Sequence, residues 1–293
     1  MTLASFVITF REALEAALIV GIVATYLRKV GHPEAYRYLF LGTAGAVVAS
    51  MAFAWILQTI YGGLNGVYES LFEGATALVA SGFLTYMIFW MTRNARKIKG
   101  ELERKLEPTL SSGQQLGVAA IAFITVFREG IETVLFLTAV FFVDPSGTAL
   151  GLMLGIAAVG VVSLLIMKSS FRLNLQNFFK YTSMILLLFA AGLIGFASHE
   201  LAEAAEALGL NLGFLGEQAF SVNVATGSMF NEQGALGSLL SDLLGYTLSP
   251  EWIRLAVYLG YWLVIGGYLI FAYRDVSTKT GSHPGSNLDF DIS

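Results

Sequence analysis

The chain has 293 residues, 56% of them hydrophobic and only 13% charged, with a formal net charge of −4 and no cysteine. That composition, with apolar runs longer than the roughly 20 helical residues needed to cross a hydrocarbon core, indicates an all-α polytopic membrane protein rather than a soluble enzyme, and no nucleic-acid partner is expected. The lack of cysteine excludes disulfides and thiolate metal sites together.

Seven apolar runs follow one another, near 3–27, 38–60, 68–91, 116–143, 148–167, 181–208 and 252–273. The first has no basic residues ahead of its apolar core and no small-residue cleavage site, so it is expected to be a retained helix rather than a signal peptide. Basic residues follow runs 1, 3, 5 and 7: Arg28, Lys29 and Arg37, then six between Arg93 and Lys105, then Lys168, Arg172 and Lys180, then Arg274 and Lys279. The opposite connections, including all of 209–251, contain none. The positive-inside rule therefore puts the N-terminus outside and the C-terminus in the cytoplasm. Segment 93–115 is expected to be a charged cytoplasmic helix ending near Pro108, as a solvated topogenic element or a contact for anionic headgroups. The outer connection 209–251, with Glu217, Glu232, Asp242 and Glu251, is expected to be a covering loop with short helices. The tail 277–293 is polar and expected to be disordered. The whole of 1–276 forms one transmembrane domain in this scheme.

Charge inside runs 1 and 4 is the exception that needs a cause. Phe10-Arg11-Glu12-Ala13-Leu14-Glu15 recurs as Phe127-Arg128-Glu129-Gly130-Ile131-Glu132, 117 positions later. Each such charge costs roughly 2.5 to 3.5 kcal/mol at the centre of a bilayer helix. Three crossings separate the copies, so the second is inverted, and the expected repeats are about 1–92 and about 115–208, with the seventh helix outside them. Tyr68, Ser70, Gly82 and Phe83 line up with Tyr181, Ser183, Gly195 and Phe196 as further support. Inverted repeats place a substrate site near the midplane, where the halves meet.

At about 100° per residue, Arg11, Glu12 and Glu15 share one helix face, as do Arg128, Glu129 and Glu132. If the faces meet, four carboxylates face two guanidiniums, an excess of negative charge that suits a cation. Arg–Glu pairing at i,i+4 would orient one carboxylate and leave the other free to ligate. The alternative, salt bridges that merely join the repeats, is disfavoured because buried pairs stabilise less than apolar packing. Glu69 and Glu73, one turn apart at the outer end of run 3, are expected to receive a cation, or else to form an interfacial pair. His199, Glu200, Glu203 and Glu206 at the outer end of run 6 make a possible entrance, or an ordinary amphipathic helix end. Oxygen ligands suit hard ions, leaving iron, manganese, magnesium and calcium open. Met87 and Met91 are expected to be packing residues far from the acidic sites. Other readings are a proton-coupled carrier whose glutamates relay protons, an intramembrane di-metal enzyme, and a subunit that binds a cation without passing it. The enzyme reading lacks the usual Glu-x-x-His spacing, since His32, His199 and His283 lie outside both motifs.

These motifs resemble the Arg-Glu-x-x-Glu hallmark of the iron permease family that includes bacterial EfeU-type transporters and the fungal high-affinity permeases partnered with a multicopper ferroxidase. The match is Arg11-Glu12-Ala13-Leu14-Glu15 and Arg128-Glu129-Gly130-Ile131-Glu132, with Glu69 and Glu73 fitting the acidic start of the third span and Gly237, Gly245, Tyr246 and Pro250 resembling the last outer loop. The resemblance implies uptake of iron, as Fe2+ or Fe3+, across the plasma membrane, a bacterial inner membrane, with Glu12, Glu15, Glu129 and Glu132 as ligands. It implies no resident cofactor. With no appended periplasmic domain in this sequence, any ferroxidase or periplasmic iron-donating protein is expected to be a separate chain.

Overall fold

The computed structural model describes residues 2–94, 98–111, 115–168, 175–225, 228–231 and 234–280. Among them run α1 (Thr2–Val30), α2 (Tyr36–Tyr61), α3 (Val67–Asn94), α4 (Ile98–Ser111), α5 (Gln115–Val143), α6 (Pro145–Lys168), α7 (Leu175–Ala207), α8 (Ala235–Leu244) and α9 (Trp252–Thr280). No strand occurs among the described residues beyond an isolated antiparallel bridge between Gln218 and Glu251. Each of the seven apolar runs is a helix. Four, over Pro33–Tyr61, Val67–Met91, Pro145–Leu165 and Tyr181–Ala207, are long and apolar enough to cross a membrane by length and composition alone. α1 and α5 have 29 residues each but carry the motif charges at their centres. The protein is an all-helical membrane protein.

Local chemistry sets the helix ends. Gly31 adopts a left-handed φ of 80° after α1, and His32 N–H donates to the Leu27 carbonyl at 3.0 Å, which closes the last turn. Asp144 accepts from Gly147 N–H at 2.9 Å and from the Ser146 hydroxyl at 3.0 Å, just ahead of Pro145 at the first position of α6. Two sequence expectations shift. The charged segment is helical, but it continues three residues past Pro108, and Leu102, Leu106 and Leu110 are buried in an apolar core. Helix α9 includes residues 277–280 of the expected tail, and 281–293 lie outside the described residues.

The buried apolar residues form two clusters. One joins Ala4, Val7 and Ile8 of α1, Ala77 to Ile88 of α3, Phe136 to Val140 of α5, and the middle of α7. The other joins Ile19, Val23 and Leu27 of α1 with Leu39 and Ala46 of α2, the three leucines of α4, and Val118, Ala122 and Val126 of α5. Helix α1 passes from the first cluster to the second, whereas α5 passes from the second to the first. The two helices therefore run in opposite directions, and both charged motifs fall in the layer between the clusters.

Helix α3 packs most extensively on α7, α1 on α6, and α2 on α5, while α1 also meets α5. Missing side chains permit the tightest crossings. A Cβ at Gly42 of α2 would overlap the Ala119 carbonyl of α5, and one at Gly151 of α6 would overlap the Thr2 carbonyl of α1. Gly74 of α3 similarly admits Leu201 of α7, whose Cγ would lie 2.8 Å from an added Cβ.

The stretch after α7 is stitched at its neck, where Ala219 N–H donates to the Pro250 carbonyl and Val222 N–H to the Leu248 carbonyl, both at 2.9 Å. Between those strands of chain, α8 descends along α7 to Gly245. Gly245 has a φ of 67° and lies against Gly192, halfway along α7, where an added Cβ on Gly245 would come within 2.9 Å of the Gly192 Cα. Arg254 of α9 donates to the Gly245 carbonyl at 3.2 Å.

Gly42→Ala and Gly151→Ala are expected to destabilise the purified protein by about 1–3 kcal/mol each, because the added methyl group must push backbones apart. Gly21, with no neighbour within 4 Å of an added Cβ, is the control: Gly21→Ala should leave the thermal unfolding temperature unchanged or slightly raised.

Candidate functional site

The motif side chains converge between the two apolar clusters. Arg11 is 0% exposed, and Glu12, Glu15, Glu129 and Glu132 are all buried. One carboxylate oxygen from each of Glu12, Glu15 and Glu129 lies within 4.8 Å of the others, so α1 and α5 jointly offer a three-carboxylate set that can hold a metal ion. Glu132, one turn from Glu129 on α5, adjoins that set through Arg128 rather than belonging to it.

Each arginine reaches both glutamates of its own motif. Arg11 Nη1 lies 3.1 Å from Glu12 Oε1, and its Nε lies 3.1 Å from Glu15 Oε1. Arg128 Nη2 lies 2.8 Å from Glu129 Oε1, and its Nε lies 3.3 Å from Glu132 Oε1. The pairing is therefore broader than the i,i+4 contact expected from the sequence, and neither motif leaves one glutamate wholly unpaired. What is left over is one oxygen on each of three carboxylates. Glu12 Oε2, Glu129 Oε2 and Glu132 Oε2 are buried without a hydrogen-bond partner among the described residues, and Glu15 Oε1 lies at ion-pair distance from Arg11 but out of line for a hydrogen bond. Buried, unsatisfied carboxylate oxygens are costly unless a cation takes them up.

The two motifs differ in surroundings. Arg11 also touches Met87 of α3, with Nη1 3.4 Å from the sulfur. Arg128 has a side chain 49% exposed and lies over the Trp90 ring, 5.3 Å from its centroid. Met87 is thus in the central layer, against the sequence expectation that placed it far from the acidic residues. The helix path explains the error. Met87 lies 14 positions, close to four turns, beyond Glu73, on the buried stripe through Ala77, Ala80 and Leu84, so Glu73 and the sulfur belong to one face of α3.

A second polar group lies where the C-terminal ends of α2 and α7 meet the N-terminal end of α3. Gly74 lets α7 close on α3, which brings Glu73 into electrostatic range of Glu200 and Glu203. Single ligand atoms of His199, Glu200 and Glu203 lie within 4.8 Å of one another. His199 Nδ1 pairs with Glu251 Oε1 at 3.0 Å. The Tyr61 hydroxyl donates to Glu73 at 2.7 Å and reaches Glu69 at 3.5 Å, and its ring packs with Phe72 and Phe142 at 6.1 and 4.8 Å. Glu206 does not join this group and lies instead against Gly216. Tyr61 and Trp90 escaped sequence reasoning because an aromatic at a helix end carries no periodic or motif signal.

The family model described as the iron permease FTR1 family matches residues 2–271. An uncharacterized protein of Archaeoglobus fulgidus is 37% identical over 273 residues, covering 93% of this chain and 96% of that one. The ferrous iron permease EfeU of Yersinia pseudotuberculosis is 35% identical over 263 residues, 89% of each chain. The EfeU protein of Escherichia coli O157:H7 is 35% identical over 282 residues, 94% of this chain and 98% of its own. No solved structure matches.

The unequal burial of the arginines gives an unequal pair of variants. Arg11→Leu strands two buried carboxylates and should lower stability by about 3–5 kcal/mol, seen as loss of monodisperse protein after detergent extraction. Arg128→Leu, at a half-exposed position, should retain most of that yield.

Proposed function

This chain belongs to the iron permease FTR1 family, and from that premise we propose that it imports ferrous iron through a midplane site built from the carboxylates of both motifs. It is a transporter of iron, not an enzyme. The ferrous form follows the names of the EfeU relatives, which are 35% identical over most of the chain. The observation that carries the site is the convergence of Glu12, Glu15 and Glu129 from two helices, with buried oxygens of Glu12 and Glu129 left unpartnered. A divalent ion cannot enter hydrocarbon unless oxygens replace its water. Glu132 completes the set when the ion draws it from Arg128. The arginines balance charge while the site is empty.

Seven crossings, an outer N-terminus and a cytoplasmic C-terminus form the frame, with the repeats at about 1–92 and about 115–208. Three structural features support an inverted repeat. Helices α1 and α5 run oppositely between the same two cores. The Gly42–Ala119 and Gly151–Thr2 crossings are counterparts under exchange of α1 with α5 and α2 with α6. Phe6 stacks on Phe10 as Phe123 stacks on Phe127, at 5.8 and 5.3 Å. A site between such repeats can be opened to either side by rocking one half against the other.

Iron arrives at the outer group of Glu69, Glu73, His199, Glu200 and Glu203, where the negative charge concentrates cations before the central step. In a bacterial inner membrane this mouth faces the periplasm, so a separate ferroxidase or iron-donating protein would deliver there.

Glu15→Ala and Glu132→Ala should each reduce radiolabelled iron uptake into proteoliposomes to background with normal protein insertion, and uptake at the native rate by both variants would reject the central site. Glu73→Gln should instead raise the iron concentration needed for half-maximal uptake and leave the saturated rate near native. A saturated rate as low as that of Glu15→Ala would move Glu73 from the entrance to the central step.

A further inference from the structure

We infer that Met87 supplies a thioether donor to the central site and biases it toward ferrous iron over harder divalent ions. This inference rests on the carboxylate site proposed above and adds a soft atom to it.

Arg11 Nη1 sits 3.1 Å from Glu12 Oε1 and 3.4 Å from Met87 Sδ. A positive group therefore lies between a carboxylate oxygen and a sulfur, both buried, with Met87 only 4% exposed. That is the arrangement of a cation held by one hard and one soft donor, with the tethered guanidinium as its occupant. Arg11 Nη2 has no hydrogen-bond partner among the described residues, and Nε meets Glu15 as an ion pair that is out of line for a hydrogen bond, so the guanidinium is held by few directional bonds. An arriving metal that engages Glu12 and Glu15 takes over the contacts that keep Arg11 in place, and the sulfur then faces the metal.

The chemical consequence concerns selectivity. Carboxylates alone suit magnesium, calcium and manganese as well as iron, because all accept hard oxygen donors. A thioether contributes little to magnesium or calcium, and ferrous iron stands above manganese in the divalent affinity order. One sulfur among oxygens thus separates ions that charge and size leave close together. Met91, one turn onward and equally buried, provides the internal comparison, and leucine replaces methionine with little loss of packing.

The experiment compares native protein, Met87→Leu and Met91→Leu in proteoliposomes, with radiolabelled ferrous iron kept reduced and radiolabelled manganese, supplied singly and in competition. Met87→Leu should lower the preference for iron over manganese by about tenfold, through weaker iron uptake with manganese uptake preserved, and Met91→Leu should match native protein. X-ray absorption of the iron-loaded protein should show a sulfur neighbour of the metal that is lost in Met87→Leu. An unchanged preference in Met87→Leu, an equal loss for both metals, or no sulfur neighbour in the native protein would overturn the assignment. Failure of the carboxylate site itself has a different signature: Glu15→Ala and Glu132→Ala would then carry both metals at native rates, whatever residue stands at position 87.

Discussion

The structure depends on placing ionisable groups where no water is available to solvate them. Arg11, Glu12, Glu15, Glu129 and Glu132 are buried in a layer bounded on both sides by apolar packing. Two buried cores rather than one are what make this tolerable, because each helix is anchored above and below its charges. Since an ion pair so placed stabilises less than aliphatic packing would, stability gives no account of its presence.

Close backbone approach is the second constraint, and it serves the first. Glycines at Gly42, Gly74 and Gly151 let helices meet without intervening side chains, as is common where lipid removes the hydrophobic drive for helix association. These contacts seat α2 on α5 and α6 on α1, around the pair α1 and α5 whose carboxylates lie within a few ångströms of one another. Gly74 does the same for Glu73 and the α7 acidic residues. Helix α4, which in sequence is the most charged segment, contributes three leucines to the second core and so ties the α3–α5 connection to the body of the bundle.

Much of this was legible in the sequence, for identifiable reasons. Long apolar runs have few alternatives to helix in lipid, and all seven are helices. The repeated Arg-Glu-x-x-Glu motif predicted convergence because charges at membrane depth must find one another. What stayed hidden depends on neighbours. Identical motifs gave no sign that Arg11 would be sealed while Arg128 lies half exposed over Trp90, since the difference comes from what α3 presents to each. The leucines of α4 stand at i, i+4 and i+8, a helical stripe that was outweighed by the surrounding charge. Met87 was misplaced because the cytoplasmic end of α3 was taken to lie away from the acidic layer, although the stripe from Glu73 leads to it.

The meeting of Gly192 with Gly245 has a consequence for the stretch between α7 and α9. A contact made by two backbones with no side chain between them cannot be loosened or retuned by gradual changes of residue size, as most helix interfaces can. The stretch is consequently divided in its tolerance to change. Its first part, around the turn at Gly213–Gly216, is held by side chains, with Phe214 stacked on Trp252 at 4.9 Å, and so can be repacked residue by residue, whereas the part that reaches Gly245 is bound in length by the point at which α7 receives it. There, backbone lies directly on backbone, and the fit is fixed by chain length rather than by residue choice.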